Sequence, residues 1–239
     1  MTARHRPEAA VPVQPEAAAE PLHSAALATP HWLALATAVA GSRKNPQALG
    51  DDAVALAEWR SGHSAYLVAA CADGAGSALA GALGSRAAVD AAVAECLRQL
   101  QASRDRRRVR IDGTQVAAAA LVALRAEAQK VQLPPRELAT TLTCAVAGPR
   151  WTWIGQVGDG AAAVRPQRAQ PGEWRVPLWP ARGEYANSTH FLTGEPPWLA
   201  RACIRRASAS AVLTSTSFCF CSFLARTRAL AESITLCAG

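Results

Sequence analysis

Three acidic sites in this 239-residue chain sit beside the ends of runs with strand character: Asp51-Asp52, Asp73-Gly74 and Asp159-Gly160. Carboxylates at strand ends can converge on one cleft from distant parts of a chain. A cleft lined by several oxygen donors suits a hard divalent cation such as Mg²⁺ or Mn²⁺, whereas the absence of grouped His and Cys argues against zinc. Each site also has an ordinary structural reading. Asp-Gly is a standard hairpin turn, so Asp159-Gly160 could simply join two strands. Asp112-Gly113 begins a helix, and Asp51 and Asp52 could be solvated loop residues. Asp73 is harder to dismiss, because it closes an apolar run and precedes Gly74-Ala75-Gly76-Ser77, a small-residue stretch that lets a ligand approach the backbone.

Other chemistries fit less well. A dinucleotide fingerprint built on Gly74 and Gly76 needs a third glycine where Leu79 stands. No P-loop lysine motif and no GxSxG elbow occurs, and no cysteine has an evident histidine partner. His5, His23, His31, His63 and His190 read as surface or structural residues.

The elements that must position the carboxylates follow from hydrophobic patterning. Strand-like runs cover 32–39, 53–59 and 66–71, the last continuous enough for a buried strand. Leu79, Leu83, Val89, Val93, Leu97 and Leu100 then recur at helical spacing, and a second helix over 114–130 carries Val116, Ala120, Leu124 and Ala128, with Asp112 or Thr114 as its cap. Strands resume over 140–147, 151–157, 160–164, 174–178, 189–192 and 211–214. Strands, a helix pair and more strands predict a layered α+β fold. Residues 1–30 are rich in Ala, Pro and Glu, with Pro7, Pro12, Pro15, Pro21 and Pro30 interrupting any helix, and read as a disordered extension.

Composition narrows the class. Hydrophobic residues at 50% against 18% charged exclude a wholly disordered chain. The net charge of +7 rests on arginine, since only two of the 25 basic residues are lysine, and the dense stretch 104–110 lacks interleaved aromatics. A solvated loop is expected there, with no nucleic-acid partner. Seven cysteines without a CxxC pair fit reduced thiols and a cytoplasmic setting. The longest early apolar run, 32–41, is half the roughly 20 residues a bilayer needs, so no membrane partner is expected.

Taken in order, Gly50-Asp51-Asp52-Ala53, Ala72-Asp73-Gly74-Ala75-Gly76-Ser77, Ala139-Thr140-Thr141-Leu142 and Val157-Gly158-Asp159-Gly160 resemble the motifs of metal-dependent (type 2C-like) Ser/Thr protein phosphatases. Gly183-Glu184-Tyr185-Ala186-Asn187 followed by Phe191-Leu192-Thr193 is similar to a bacterial subgroup of that family. The likeness covers about residues 32–215. It implies a four-layer α-β-β-α sandwich with two or more Mn²⁺ or Mg²⁺ ions at one edge. Carried over position by position, Asp73 would bridge two metals and the Gly74 carbonyl would ligate one. Asp52, with Asp51 beside it, would hold metal-bound waters, and Asp159 would help bind a further, weaker ion. Arg43 or Lys44 would contact the substrate phosphate, Arg43 being the position carried forward. The implied activity is hydrolysis of phosphoserine or phosphothreonine in a phosphoprotein, such as a Ser/Thr kinase target in bacterial signalling. Paired cations would lower the pKa of a shared water and neutralise phosphoryl charge, without a covalent phosphoenzyme.

The pattern departs from the family near its end. Ala211-Val212-Leu213-Thr214-Ser215 begins like the expected strand, but Thr216-Ser217 stands where an acidic pair belongs, and no Asp follows Asp159. The chain divides into an extension (1–30), a phosphatase-like domain (31–215) and an atypical tail (216–239), for which truncation, a shifted reading frame or divergence are the explanations. Fewer carboxylates imply weaker metal binding, and a missing terminal strand implies an open sheet edge prone to aggregation. A catalytically impaired domain that binds a phosphoprotein is the alternative to an enzyme.

Overall fold

The computed structural model describes residues 23–28, 32–38, 50–103, 109–149, 151–166, 175–178, 189–194, 200–205, 209–214 and 222–227. In chain order the strands are β1 (His23–Ala28), β2 (Trp32–Ala38), β3 (Asp52–Ser61), β4 (Ser64–Asp73), β5 (Leu142–Ala147), β6 (Trp151–Val157), β7 (Ala161–Pro166), β8 (Arg175–Leu178), β9 (Ala200–Arg205), β10 (Ala209–Thr214) and β11 (Ser222–Thr227). Two helices, α1 (Gly81–Ala102) and α2 (Gly113–Lys130), separate β4 from β5, and a short 3-10 turn, Pro135–Leu138, follows α2. One sheet runs β3-β4-β5-β6-β9 and the other β1-β2-β11-β10-β7-β8; every pairing is antiparallel.

The residues of β4 show how the layers form. Tyr66, Val68, Ala70 and Ala72 pack with α1 and α2, while Ala65, Leu67, Ala69 and Cys71 join Ala34 of β2, Ala162 and Val164 of β7 and Leu178 of β8 between the sheets. A strand buried on both faces needs apolar residues at successive positions, which is why its sequence run is continuous. Helix α1 lies across β3, β4 and β5. Its C-terminal Arg98 and Gln99 meet Gln115 and Asp112 at the start of α2, and Ala80, just before α1, packs near Leu124 and Ala128 towards the end of α2. The helices are therefore antiparallel. Among the described residues helices cover only the five-stranded sheet, and no described helix is long and apolar enough to cross a membrane. Cys71, Cys96 and Cys144 are free and buried. The Cys96 and Cys144 sulfurs stand 3.6 Å apart, and that contact together with burial pushes the Cys144 thiol pKa up.

Several expectations need correction. The composition of residues 1–30 predicts a disordered extension, yet residues 23–28 form β1 along β2; this stretch lies between Pro21 and Pro30, so its backbone N–H groups are intact. Residues 1–22 lie outside the described residues. The sequence implies a missing terminal strand and an open sheet edge; in the structure β11, within residues 216–239, pairs with both β10 and β2. Residues 189–192 form no strand; they lead into a turn in which the Gly194 N–H donates to Phe191. Leu79 and Leu83 are exposed, because α1 starts only at Gly81 and presents another face to the sheet. Strand β9 had no counterpart in the sequence reading.

Helix α2 is capped by Asp112, whose Oδ1 accepts from the Thr114 and Gln115 N–H groups at 3.0 and 3.4 Å. Asp112→Ala should lower the free energy of unfolding by about 1 kcal/mol, read from urea denaturation, while Asp112→Asn retains most of it.

Candidate metal centre

Ten residue pairs join β3 to β4, and the last of them places Asp52 directly opposite Asp73. Cβ atoms so opposed stand about 4.5–5.5 Å apart, which brings two carboxylates within reach of one small ion. Alternation along the strands fixes their face. Ala53 and Ala72 turn towards the helices, so Asp52 and Asp73 share the opposite face with Val54 and Cys71, between the sheets. Asp52 is only 3% exposed. The neighbouring pair Thr143 and Gln156, also buried, extends this polar end across β5 and β6. Burial first, and the charges of Asp52 and Asp73 next, push the Cys71 thiol up to about 12, so it stays protonated.

The loop after β4 is held on every side. Gly74 donates its N–H to the Asp51 carbonyl at 3.0 Å and bridges to Thr140. A Cβ at Gly74 would lie 2.6 Å from the Gly81 carbonyl carbon and 2.7 Å from the Asp51 oxygen, so only glycine fits between the start of α1 and the strand β3 leaves. Burial raises the Asp51 carboxyl pKa above its ordinary value, and the nearby Ala82 backbone in the first turn of α1 opposes that rise. Helix α1 has no capping side chain of its own, and Asp51 Oδ1 lies beside its first residue, 3.3 Å from where a Cβ of Gly81 would stand.

The backbone of Asp73 is bound by two threonines. Its N–H donates to Thr141 Oγ1 at 3.1 Å, and its carbonyl accepts from Thr141 N–H and from Thr140 Oγ1, both at 2.9 Å. Asp159 reaches the same sheet end by another route. Strand β6 belongs to the five-stranded sheet and β7 to the other, so Asp159-Gly160 is a crossing between sheets; the hairpin alternative does not apply. The sharp turn falls on Gly158, whose φ of +101° and contact with Thr141 exclude a side chain. Thr189 Oγ1 donates to Asp159 Oδ2 at 3.1 Å, and the Leu192 N–H donates to the Thr140 carbonyl at 2.9 Å, seating 189–194 on this edge.

The structure thus brings Asp52, Asp73 and Gly74 together and carries Asp159 to the same end. Among the described residues no group of three or more His, Cys, Asp or Glu is gathered as a metal cluster. Two opposed carboxylates beside a main-chain carbonyl form an all-oxygen donor set suited to a hard divalent cation, with water completing the shell. The set is sparse for two ions. Arg43 and Lys44, the expected phosphate contacts, lie outside the described residues, as do 183–187 and Thr216-Ser217.

Residues 42–218 match the family model described as protein phosphatase 2C, and the chain belongs to that family. Serine/threonine-protein phosphatase 3 of Escherichia coli (strain K12) is 33% identical over 142 residues, 57% of this chain and 52% of that protein, so the match spans about half the relative's length. Three solved structures share the fold. A bacterial serine phosphatase superposes with a TM-score of 0.55 at 16% identity, covering 76% of this chain and 77% of that one. Serine/threonine phosphatase Stp1 of Staphylococcus aureus gives 0.51 at 16% identity over 76% and 75%. RsbX, solved in complex with magnesium, gives 0.53 at 12% identity over 86% and 100%.

Because both flanks of Gly74 are main chain, Gly74→Ala forces the loop away from α1. The free energy of unfolding should fall by about 1–3 kcal/mol in urea denaturation.

Proposed function

We propose that this chain is a metal-dependent protein serine/threonine phosphatase acting on phosphoserine or phosphothreonine in cytoplasmic proteins, such as Ser/Thr kinase targets. The observation that carries the reading is the register of β3 and β4, which sets Asp52 against Asp73 on the face between the sheets. Family membership supports the reaction class, and the magnesium bound by RsbX supports the choice of ion.

Asp52 and Asp73, with the Gly74 carbonyl, would hold Mn²⁺ or Mg²⁺, and Asp159 would serve a further, weaker ion. When bound, such an ion supplies Lewis acidity towards phosphoryl oxygens and a water of lowered pKa. The protein supplies the placement. Asp52 is almost wholly removed from solvent, so its charge acts through a medium that screens less than water. The bonds around Asp73 and Gly74 keep a carboxylate and a carbonyl at fixed spacing, which limits reorganisation as phosphoryl charge develops. Arg43, by the family resemblance, would orient the phosphate dianion by charge-assisted hydrogen bonds.

Asp73→Asn is nearly isosteric but removes the charge. It should abolish Mn²⁺-dependent hydrolysis of p-nitrophenyl phosphate and of a phosphothreonine peptide, while circular dichroism stays that of the parent protein. Turnover equal to the parent's would reject this site.

A further inference from the structure

The Thr140-Thr141 pair is a motif that the proposed chemistry leaves without a task, yet it touches the segments that carry Asp73 and Asp159 to the sheet end. Regular pairing of β4 with β5 stops at Cys71 and Thr143. At the next step along the ladder the Thr141 N–H still reaches the Asp73 carbonyl, but the Asp73 N–H is taken by the Thr141 hydroxyl. A side chain has replaced one rung, which lets the chain leave the pleat at Gly74 while Asp73 stays bonded. The Thr140 hydroxyl, on a fully buried residue, donates to the Asp73 carbonyl and secures its other side. The same dipeptide reaches the second acid: Thr141 Cγ2 lies 2.6 Å from where a Cβ of Gly158 would stand, and the Thr140 carbonyl holds Leu192 in the segment whose Thr189 bonds Asp159. Valine would keep the methyl contact without the hydroxyl. Serine would keep the hydroxyl without the methyl. Only threonine has both.

We infer that Thr140 and Thr141 are positioning residues that set the backbone of Asp73 through their hydroxyls. Their contribution to metal binding rests on the function proposed above; their hold on Asp73 does not.

The test compares Thr141→Val with Thr141→Ser in the full chain. Hydrogen exchange of the Asp73 amide, measured without metal and normalised to global stability from urea denaturation, should be about tenfold faster in Thr141→Val, the effect of one net hydrogen bond, and unchanged in Thr141→Ser. Calorimetric Mn²⁺ affinity should fall by a similar factor in the valine variant and recover in the serine variant. Equal exchange at Asp73 in the parent and Thr141→Val, or equal loss in both variants, overturns the inference. If the parent protein takes up no Mn²⁺, the proposed function fails while the exchange comparison still decides the role of the threonines. If Thr141→Val does not fold, Thr141→Ala against Thr141→Ser gives the same comparison at the Asp73 amide, whose N–H donates to the Thr141 hydroxyl.

Discussion

Two aspartates directly opposed at the end of an antiparallel ladder are the constraint around which this molecule is organised. Like charges in cross-strand register repel, and Asp52 has little solvent to relieve it. An arrangement that disfavours folding persists only where the surrounding structure over-determines it. Here it does: ten residue pairs fix β3 on β4, Gly74 is wedged between Asp51 and Gly81, and two threonines bind the Asp73 backbone. A divalent cation would turn the same repulsion into a binding site.

Register matters more than proximity. A slip of one residue between β3 and β4 would send one of the carboxylates to the helix-covered face. The far end of the ladder resists such a slip. Trp59 stands opposite Tyr66 with ring centroids 5.4 Å apart, and Tyr66 meets Trp151 of β6 at 5.8 Å. The five-stranded sheet thus has an aromatic end that secures alignment and an acidic end that uses it. Gly74 joins that acidic end to α1: its N–H donates to the Asp51 carbonyl, and its missing Cβ leaves room for Gly81 at the start of the helix.

What could be read from the sequence was local. The run before Asp73, the periodicity of α2 and its Asp112 cap each depend on neighbours within a few residues, and each was legible. Strands β1, β9 and β11 were not: β1 pairs with its neighbour β2 but is an Ala-rich run with little β signal, while β9 pairs with the distant β6 and β11 reaches across to β2. Residues 189–192 have strand-like composition but are captured by Thr140 and Asp159 instead. At the site, Asp52, Asp73 and Gly74 were visible as residue types. Whether Asp159-Gly160 was a hairpin or a crossing depended on which sheets β6 and β7 join, which no local pattern encodes. The hydroxyls on Asp73 were equally hidden, although two threonines opening a strand and a glycine before Asp159 were the available signals.

The most direct measurement is a crystal structure of the intact chain with Mn²⁺, collected at a wavelength where manganese scatters anomalously. A peak at the end of β3 and β4, coordinated by the Asp73 carboxylate and the Gly74 carbonyl with Asp52 alongside, is the result expected. Saturating Mn²⁺ with no peak there, or with Asp52 and Asp73 turned to separate surfaces, would contradict the assignment.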